Sequence, residues 1–363
     1  MLSIYTDYES PMRARGSPHN IPHRFDPTPG EAVVDNDWYS EPAPDSVATE
    51  VRSIRARAII STNDSPDVPF SQSINPYQGC EHGCIYCFAR PTHAYQELSP
   101  GLDFETKLSA KTNAAEVLRR SLDRPGYQPQ PIALGVNTDA YQPLEKRYRI
   151  TREILEVLRE YRHPVSIITK SALILRDLDI LSDMAAQGLC SVRVSLTSLD
   201  TRLKGQLEPR ATGPATRLRV MRQLSRAGVP TGVIIAPLIP FINDHELEAM
   251  LSASADNGAQ RATWVLLRLP HEVAPLFEQW LQDHYPDRAR HVMNRVRDLH
   301  GGQTYRSDWG ERMTGRGPLA DLYRQRFQRQ CRALGLNVHE SEPLDTKRFR
   351  RPGGEQMALF ESG

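Results

Sequence analysis

The stretch Ser73–Pro91, SINPYQGCEHGCIYCFARP, packs three of the chain's five cysteines into eight residues. Cys80, Cys84 and Cys87 stand at CxxxCxxC spacing, and Gly79 and Gly83 supply the backbone freedom for tight turns that let three sulfurs converge. A structural zinc site needs four ligands, so these thiols would have to recruit His82 or His93, and no second CxxC or HxxxH follows at finger spacing. A disulfide staple is disfavoured, because an odd and sparse cysteine count fits a reducing compartment. Three thiolates without a fourth suit a [4Fe–4S] cluster with one iron open to an outside ligand, with zinc or another metal as the alternative.

Outward from this stretch, short apolar runs alternate with amphipathic ones. Strands are expected at Gln72–Pro76, Pro131–Val136, Val165–Thr169, Ser191–Leu196, Thr231–Ala236 and Ala262–Leu267. Helices are expected between them at Asn113–Leu122, Thr151–Tyr161, Leu173–Gln187, Pro214–Ala227 and Asp244–Asn257, punctuated by Gly188, Pro214 and Gly228. The strands are nearly continuous apolar runs, as in parallel sheets covered on both faces. Six βα units fall short of a closed eight-fold barrel, so the expected fold is α/β: an open, partial (β/α)6 TIM-like barrel.

The organisation expected is a disordered or extended N-terminal arm (1–50), a core (51–270), a basic helical extension (271–340) and a flexible tail (341–363). The arm is rich in Pro, Ser, Asp, Glu and Gly and lacks periodicity. Of 363 residues, 39% are hydrophobic and 25% charged, enough for a substantial core. The net charge of +1 gives no global sign of a polyanion-binding protein, so any such surface is local. No apolar run approaches the roughly eighteen residues needed to span a bilayer. The first residues lack a secretory pattern, and the expected location is cytoplasmic without membrane association.

CxxxCxxC with Tyr86 just before its last cysteine, after a first strand and ahead of alternating βα units, resembles the radical S-adenosylmethionine (SAM) superfamily. NPYQGCEHGCIYCFAR resembles its branch related to spore photoproduct lyase and DNA repair photolyase-like proteins, over roughly Asn75 to Leu269. The resemblance implies an enzyme in which Cys80, Cys84 and Cys87 bind the cluster. SAM would chelate the open iron, be cleaved with an electron from a donor partner, and give a 5′-deoxyadenosyl radical that abstracts hydrogen. Asn137, Thr138 and Asp139, after the second strand, occupy the place where the superfamily grips the methionine amino group; Asn and Asp also start ordinary turns. Lys170 stands where a lysine pairs with the SAM carboxylate, Ser195 could meet the ribose, and Arg210, near Glu208, lies where relatives carry an arginine near SAM. Ala236 to Pro240 suit an adenine shelf or equally core packing. One departure from the lyases is evident: they use a hydrogen-donating cysteine near the end of the second strand, and PIALGVNTDAYQP has none. Cys190 begins the fourth strand, and Cys331 would serve only if its helix folded over the barrel mouth.

Arg316, Arg324, Arg326, Arg329 and Arg332, interleaved with Tyr323 and Phe327, are compatible with a phosphate backbone or with a solvated helix face. Gln356, Leu359 and Phe360, after the breaker Pro352-Gly353-Gly354, resemble the QxxLF peptide with which repair proteins dock on the bacterial sliding clamp. The substrate expected is nucleic acid, with radical modification of a protein or small metabolite as one alternative. A non-catalytic, metal-bearing nucleic-acid adaptor is the other.

Overall fold

Alternating apolar runs too short for helices pair into two sheets. The computed structural model describes residues 5–8, 15–26, 47–338 and 343–352. Its strands are β1 (Tyr5–Tyr8), β2 (Thr49–Ile54), β3 (Ile60–Thr62), β4 (Gln72–Ile74), β5 (Tyr77–Gln78), β6 (Lys107–Lys111), β7 (Ile132–Leu134), β8 (Val165–Thr169), β9 (Cys190–Leu196), β10 (Thr231–Leu238) and β11 (Arg261–Leu266). The larger sheet has the order β11-β10-β9-β8-β7-β4-β3. β4, β7, β8, β9, β10 and β11 pair in parallel, and β3 closes one edge antiparallel to β4. These six parallel strands fall where the apolar runs placed them.

Helices Ala114–Leu122, Ile150–Glu160, Leu178–Ala186, Pro214–Arg226 and Leu247–Asp256 form between the parallel strands. They bury Leu118, Ile154, Leu155, Leu158, Leu181, Leu224 and Leu251 in one continuous core with Ile132, Leu134, Val192 and Val233 of the sheet. The helix expected at 173–187 begins instead as a 3₁₀ turn, Ala172–Asp177. There Arg176 and Arg152 both bind the Asp177 carboxylate. Among the described residues, no helix is long and apolar enough to cross a membrane.

The second sheet, β1-β2-β6-β5, was not anticipated. β2 runs parallel to β6, and β5 pairs antiparallel with it, although β5 is only two residues long. Its importance is positional: β5 leads directly into Gly79 and Cys80.

Residues 15–26, part of the expected arm, lie along this sheet and the cysteine loop. The backbone N–H groups of Gly16 and Ser17 both donate to the buried Glu105 carboxylate at 2.8 Å. Arg15 reaches the Glu105 carbonyl, Asn20 donates to Asp103, and Arg24 pairs with Glu272 at 3.0 Å. Gly16 is there because nothing larger fits: a Cβ would sit 1.7 Å from the Gly83 carbonyl oxygen. Gly16→Ala therefore forces this strap off the cysteine loop. Trypsin cleavage after Arg15 and Arg24 should accelerate in the variant; an unchanged rate would show that the strap does not depend on this contact.

In the C-terminal extension, helices Val273–His284 and Pro286–Leu299 build a second core around Phe277, Trp280 and Val292. The arginine-rich helix Pro318–Ala333 packs on Leu247–Asp256. Its aromatics are core residues: Tyr323 is buried and donates to Asp244 at 2.7 Å, and Phe327 packs on Trp264. Arg326 forks onto Glu248. The expected basic–aromatic face for nucleic acid is thus corrected, because the rings that would stack on bases are consumed in helix packing. Cys331 is buried in this interface, near Asn337, which pairs with Ala262 at the N-terminal end of β11. Cys190 is buried at the start of β9. Both thiols lie at the opposite end of the sheet from the cysteine loop. Gln356, Leu359 and Phe360 lie outside the described residues.

Candidate functional site

The loop after β5 turns twice through positive φ, at Gly79 (74°) and Gly83 (66°), and so brings Cys80, Cys84 and Cys87 to one corner. Cys80 and Cys84 are buried and Cys87 half-buried. Phe104 and Ala89 form the apolar pad behind Cys80. Arg90, fully buried, fixes the loop from beneath: its Nε donates to the Cys84 carbonyl at 2.9 Å and its Nη1 to the carbonyls of Pro100 and Gly101. Its Nη2 pairs with Glu105, the carboxylate that also holds the strap.

The donor set fits a polynuclear sulfur-ligated group. Burial pushes the Cys80 thiol well up, and Asp139 and the other two thiols add to that. Cys84 is pushed up to about 11, chiefly by burial, with Lys170 opposing. Two buried thiols that resist ionisation, with a half-buried third beside them, are what a positively charged metal group would relieve. Among the described residues no three His, Cys, Asp or Glu side chains, the three thiols included, are placed to hold a single metal ion. His82, expected as a zinc partner, lies beside Asp139 at 3.4 Å. Burial lowers its pKa to about 4, so at neutral pH the ring is uncharged and this contact is not an ion pair. His93 is used elsewhere, against the Lys107 carbonyl.

Beside Cys84 lies a ring of polar side chains: Lys170 and Thr197 from the C-terminal ends of β8 and β9, Tyr86 from the cysteine loop, and Glu208 and Arg217 from the helical segments that follow β9. Lys170, after β8, places Nζ 3.4 Å from Cys84 Sγ, 3.1 Å from the Tyr86 hydroxyl and 3.0 Å from Glu208 Oε1. Glu208 is wholly buried and also accepts from Thr197 at 2.7 Å, from Tyr86 and from Arg217. Burial opposes its charge, yet Arg217 and Lys170 hold the carboxyl well below the usual range. Burial likewise works against Lys170, but Cys84, Glu208 and Tyr86 keep it protonated and push its pKa above the ordinary lysine value.

The other expected contacts are placed differently. Thr138 donates to the Tyr77 carbonyl, and Asp139 accepts from the Thr169 hydroxyl and the Lys170 and Tyr141 N–H groups. Both side chains therefore brace the cysteine loop and Lys170. Asn137 is held through its backbone by Asn75 Oδ1 at 3.0 Å. Ser195 is buried, and its carbonyl accepts from Arg217 at 2.9 Å. Arg210 binds Glu81 on the cysteine loop at 3.1 Å.

Sequence reasoning missed Arg90, Thr197 and Arg217, and did not see Glu208 as the hub. Arg217 carried a readable signal. It lies one turn before Val220 and Met221 and two turns before Leu224 on the buried face of helix Pro214–Arg226, where an arginine needs a buried partner.

Residues 74–253 match the family model "Radical SAM superfamily". Proteins named as uncharacterised from Mycobacterium bovis and Mycobacterium tuberculosis are 38% identical over 235 residues, covering 64% of this chain and 68% of theirs. Another, from Methanocaldococcus jannaschii, is 27% identical over 197 residues, covering 54% of this chain and 71% of its own. The solved structure "Spore photoproduct lyase complexed with dinucleoside spore photoproduct" superposes with a TM-score of 0.56 over 79% of this chain and 80% of that one, at 16% identity, a likeness of fold. The chain belongs to the radical SAM superfamily, whose cofactors are a [4Fe–4S] cluster and SAM.

Proposed function

We propose that this chain is a hydrogen-abstracting enzyme in which Cys80, Cys84 and Cys87 hold the cluster and the polar ring around Lys170 holds SAM, acting on a nucleic acid. The observation that carries this reading is the approach of Lys170 to Cys84, the middle thiol of the triplet, within the ring centred on Glu208. Cluster and SAM together supply a radical able to abstract hydrogen from carbon.

The chain's own residues bind and orient. Glu208 has Arg217, Thr197 and Tyr86 as donors besides Lys170. Lys170 can therefore turn its ammonium to a ligand carboxylate without leaving a bare buried charge behind. Asp139 fixes the Lys170 backbone, and Thr138 fixes the end of β5, so both act as positioning residues. Asn137, Ser195 and Arg210 line the same mouth as secondary contacts to SAM. The electron comes from a separate donor.

Support for a nucleic-acid substrate is the fold shared with a lyase solved with a dinucleoside. Reversal of a thymine lesion with a cysteine hydrogen donor is not part of the proposal: the segment after β7 has no cysteine, and Cys190 and Cys331 lie at the far end of the sheet.

Anaerobic reconstitution should give about four irons per chain. Under dithionite the protein should convert SAM to 5′-deoxyadenosine, with deuterium entering that product from a deuterated nucleic acid. A site that takes up only zinc, with SAM left intact, would refute the enzyme reading.

A further inference from the structure

Past the end of β11 stands Arg268. Among the described residues, no carboxylate lies within ion-pair distance of Arg268, and its Nε is buried without a hydrogen-bond partner. Its guanidinium lies 4.7 Å from the centroid of Phe88 and 5.9 Å from that of Tyr305, whose hydroxyl is 3.4 Å from Nη2. Phe88 directly follows Cys87 and is 42% exposed. Arg268 thus joins the outer edge of the cysteine loop to a cleft of about 680 Å³ lined by His271, Thr304, Tyr305, Arg306 and Ser307. Asp308 also lines this cleft and, with Glu311, neutralises Arg306, so Arg268 is the guanidinium here that no carboxylate of the described residues balances. Burial lowers the pKa of His300, its hydrogen bond to the Leu267 carbonyl opposes that, and the charges of Arg268 and Arg306 lower it further.

A half-buried guanidinium set over two ring faces, with its Nε unpartnered, is preorganised for an anion that offers paired oxygen acceptors. The exposed ring of Phe88 offers a stacking face beside it. Alternating phosphate and base is the ligand chemistry that uses both features, whereas an acidic peptide would use only the charge. We infer that Arg268, braced by Phe88 and Tyr305, is a phosphate-binding subsite for a single nucleic-acid strand, seating a base on Phe88 next to the cysteine loop. This rests on the proposed function and supplies its substrate contact.

The test is fluorescence anisotropy with a labelled single-stranded DNA oligonucleotide and the cluster-loaded, SAM-bound protein across a salt series. Arg268→Gln should weaken binding about tenfold and lower the slope of log affinity against log salt by about 0.7. Arg268→Lys should keep the slope and lose most of the affinity, because an ammonium lacks the fork. Phe88→Leu should weaken binding with the slope unchanged. Equal oligonucleotide affinity in wild type and Arg268→Gln would overturn the inference, as would no oligonucleotide binding at all. Equal displacement of the strand by polyglutamate of matched charge would also overturn it, in favour of an acidic peptide. Each is distinct from failure of the proposed function, which shows as absent SAM cleavage in wild type whatever the strand does.

Discussion

Cys84→Ala should lose its iron on desalting after anaerobic reconstitution and form no detectable 5′-deoxyadenosine, whereas Cys190→Ala should retain both. Three thiolates are the whole protein ligand set of the proposed cluster, so removing one leaves two of three anchors. Cys84 is the most consequential of the three, being the one Lys170 approaches and the one whose carbonyl Arg90 holds. Cys190 is equally buried but sits at the start of β9, where it only fills the core. The comparison therefore separates position from thiol count. Iron retention in Cys84→Ala at the wild-type level, read by colorimetric assay, would remove the assignment of the triplet.

Glu208→Gln should be the most destabilising single change in the polar ring, at about 3–5 kcal/mol, the range for leaving a buried charge uncompensated. Glu208 is wholly buried and neutralises two cations, Lys170 and Arg217. The glutamine variant strands both. Arg217→Met should cost less, because Glu208 keeps Lys170. The double variant Glu208→Gln/Arg217→Met should recover part of the loss, since only Lys170 is then left unpaired. Pairing holds the Glu208 carboxyl below its unfolded value near 4.5. That part of the stability is therefore complete above this pH and falls away as acid carries the medium down toward the folded value. Urea unfolding of the apoprotein at pH 7 ranks the variants; Arg217→Met less stable than Glu208→Gln would contradict the shared-carboxylate arrangement.

The larger sheet was legible because strands covered on both faces are rich in apolar residues: SIIT, GVIIAPLI and TWVLLRL mark β8, β10 and β11, although β4 (QSI) and β9 (CSVRVSL) are mixed. The smaller sheet was not. Thr49–Ile54, Tyr77–Gln78 and Lys107–Lys111 are short and mixed in character, and they become strands only by pairing with one another across the chain. Residues 15–26 read as too polar to order, yet Glu105 supplies two hydrogen bonds to the backbone of Gly16 and Ser17 that no local pattern announces. On helix Pro318–Ala333, the interleaving of arginines and aromatics suggested one face for phosphate and bases, but Tyr323 and Phe327 are buried against the core while Arg329 and Arg332 stay exposed.

The sequence by itself determined the cysteine triplet, the βα order and the position of Lys170 at a strand end. These depend on spacing and periodicity, which are local. Only the tertiary structure shows that Asp139 accepts from the Lys170 N–H, that Thr138 donates to the Tyr77 carbonyl, and that Arg90 clamps the Cys84 carbonyl. It alone gathered Tyr86, Lys170, Thr197 and Arg217 around Glu208. The physical reason is that a buried charge must be neutralised by whatever the fold brings within about 4 Å, and such partners lie far apart along the chain.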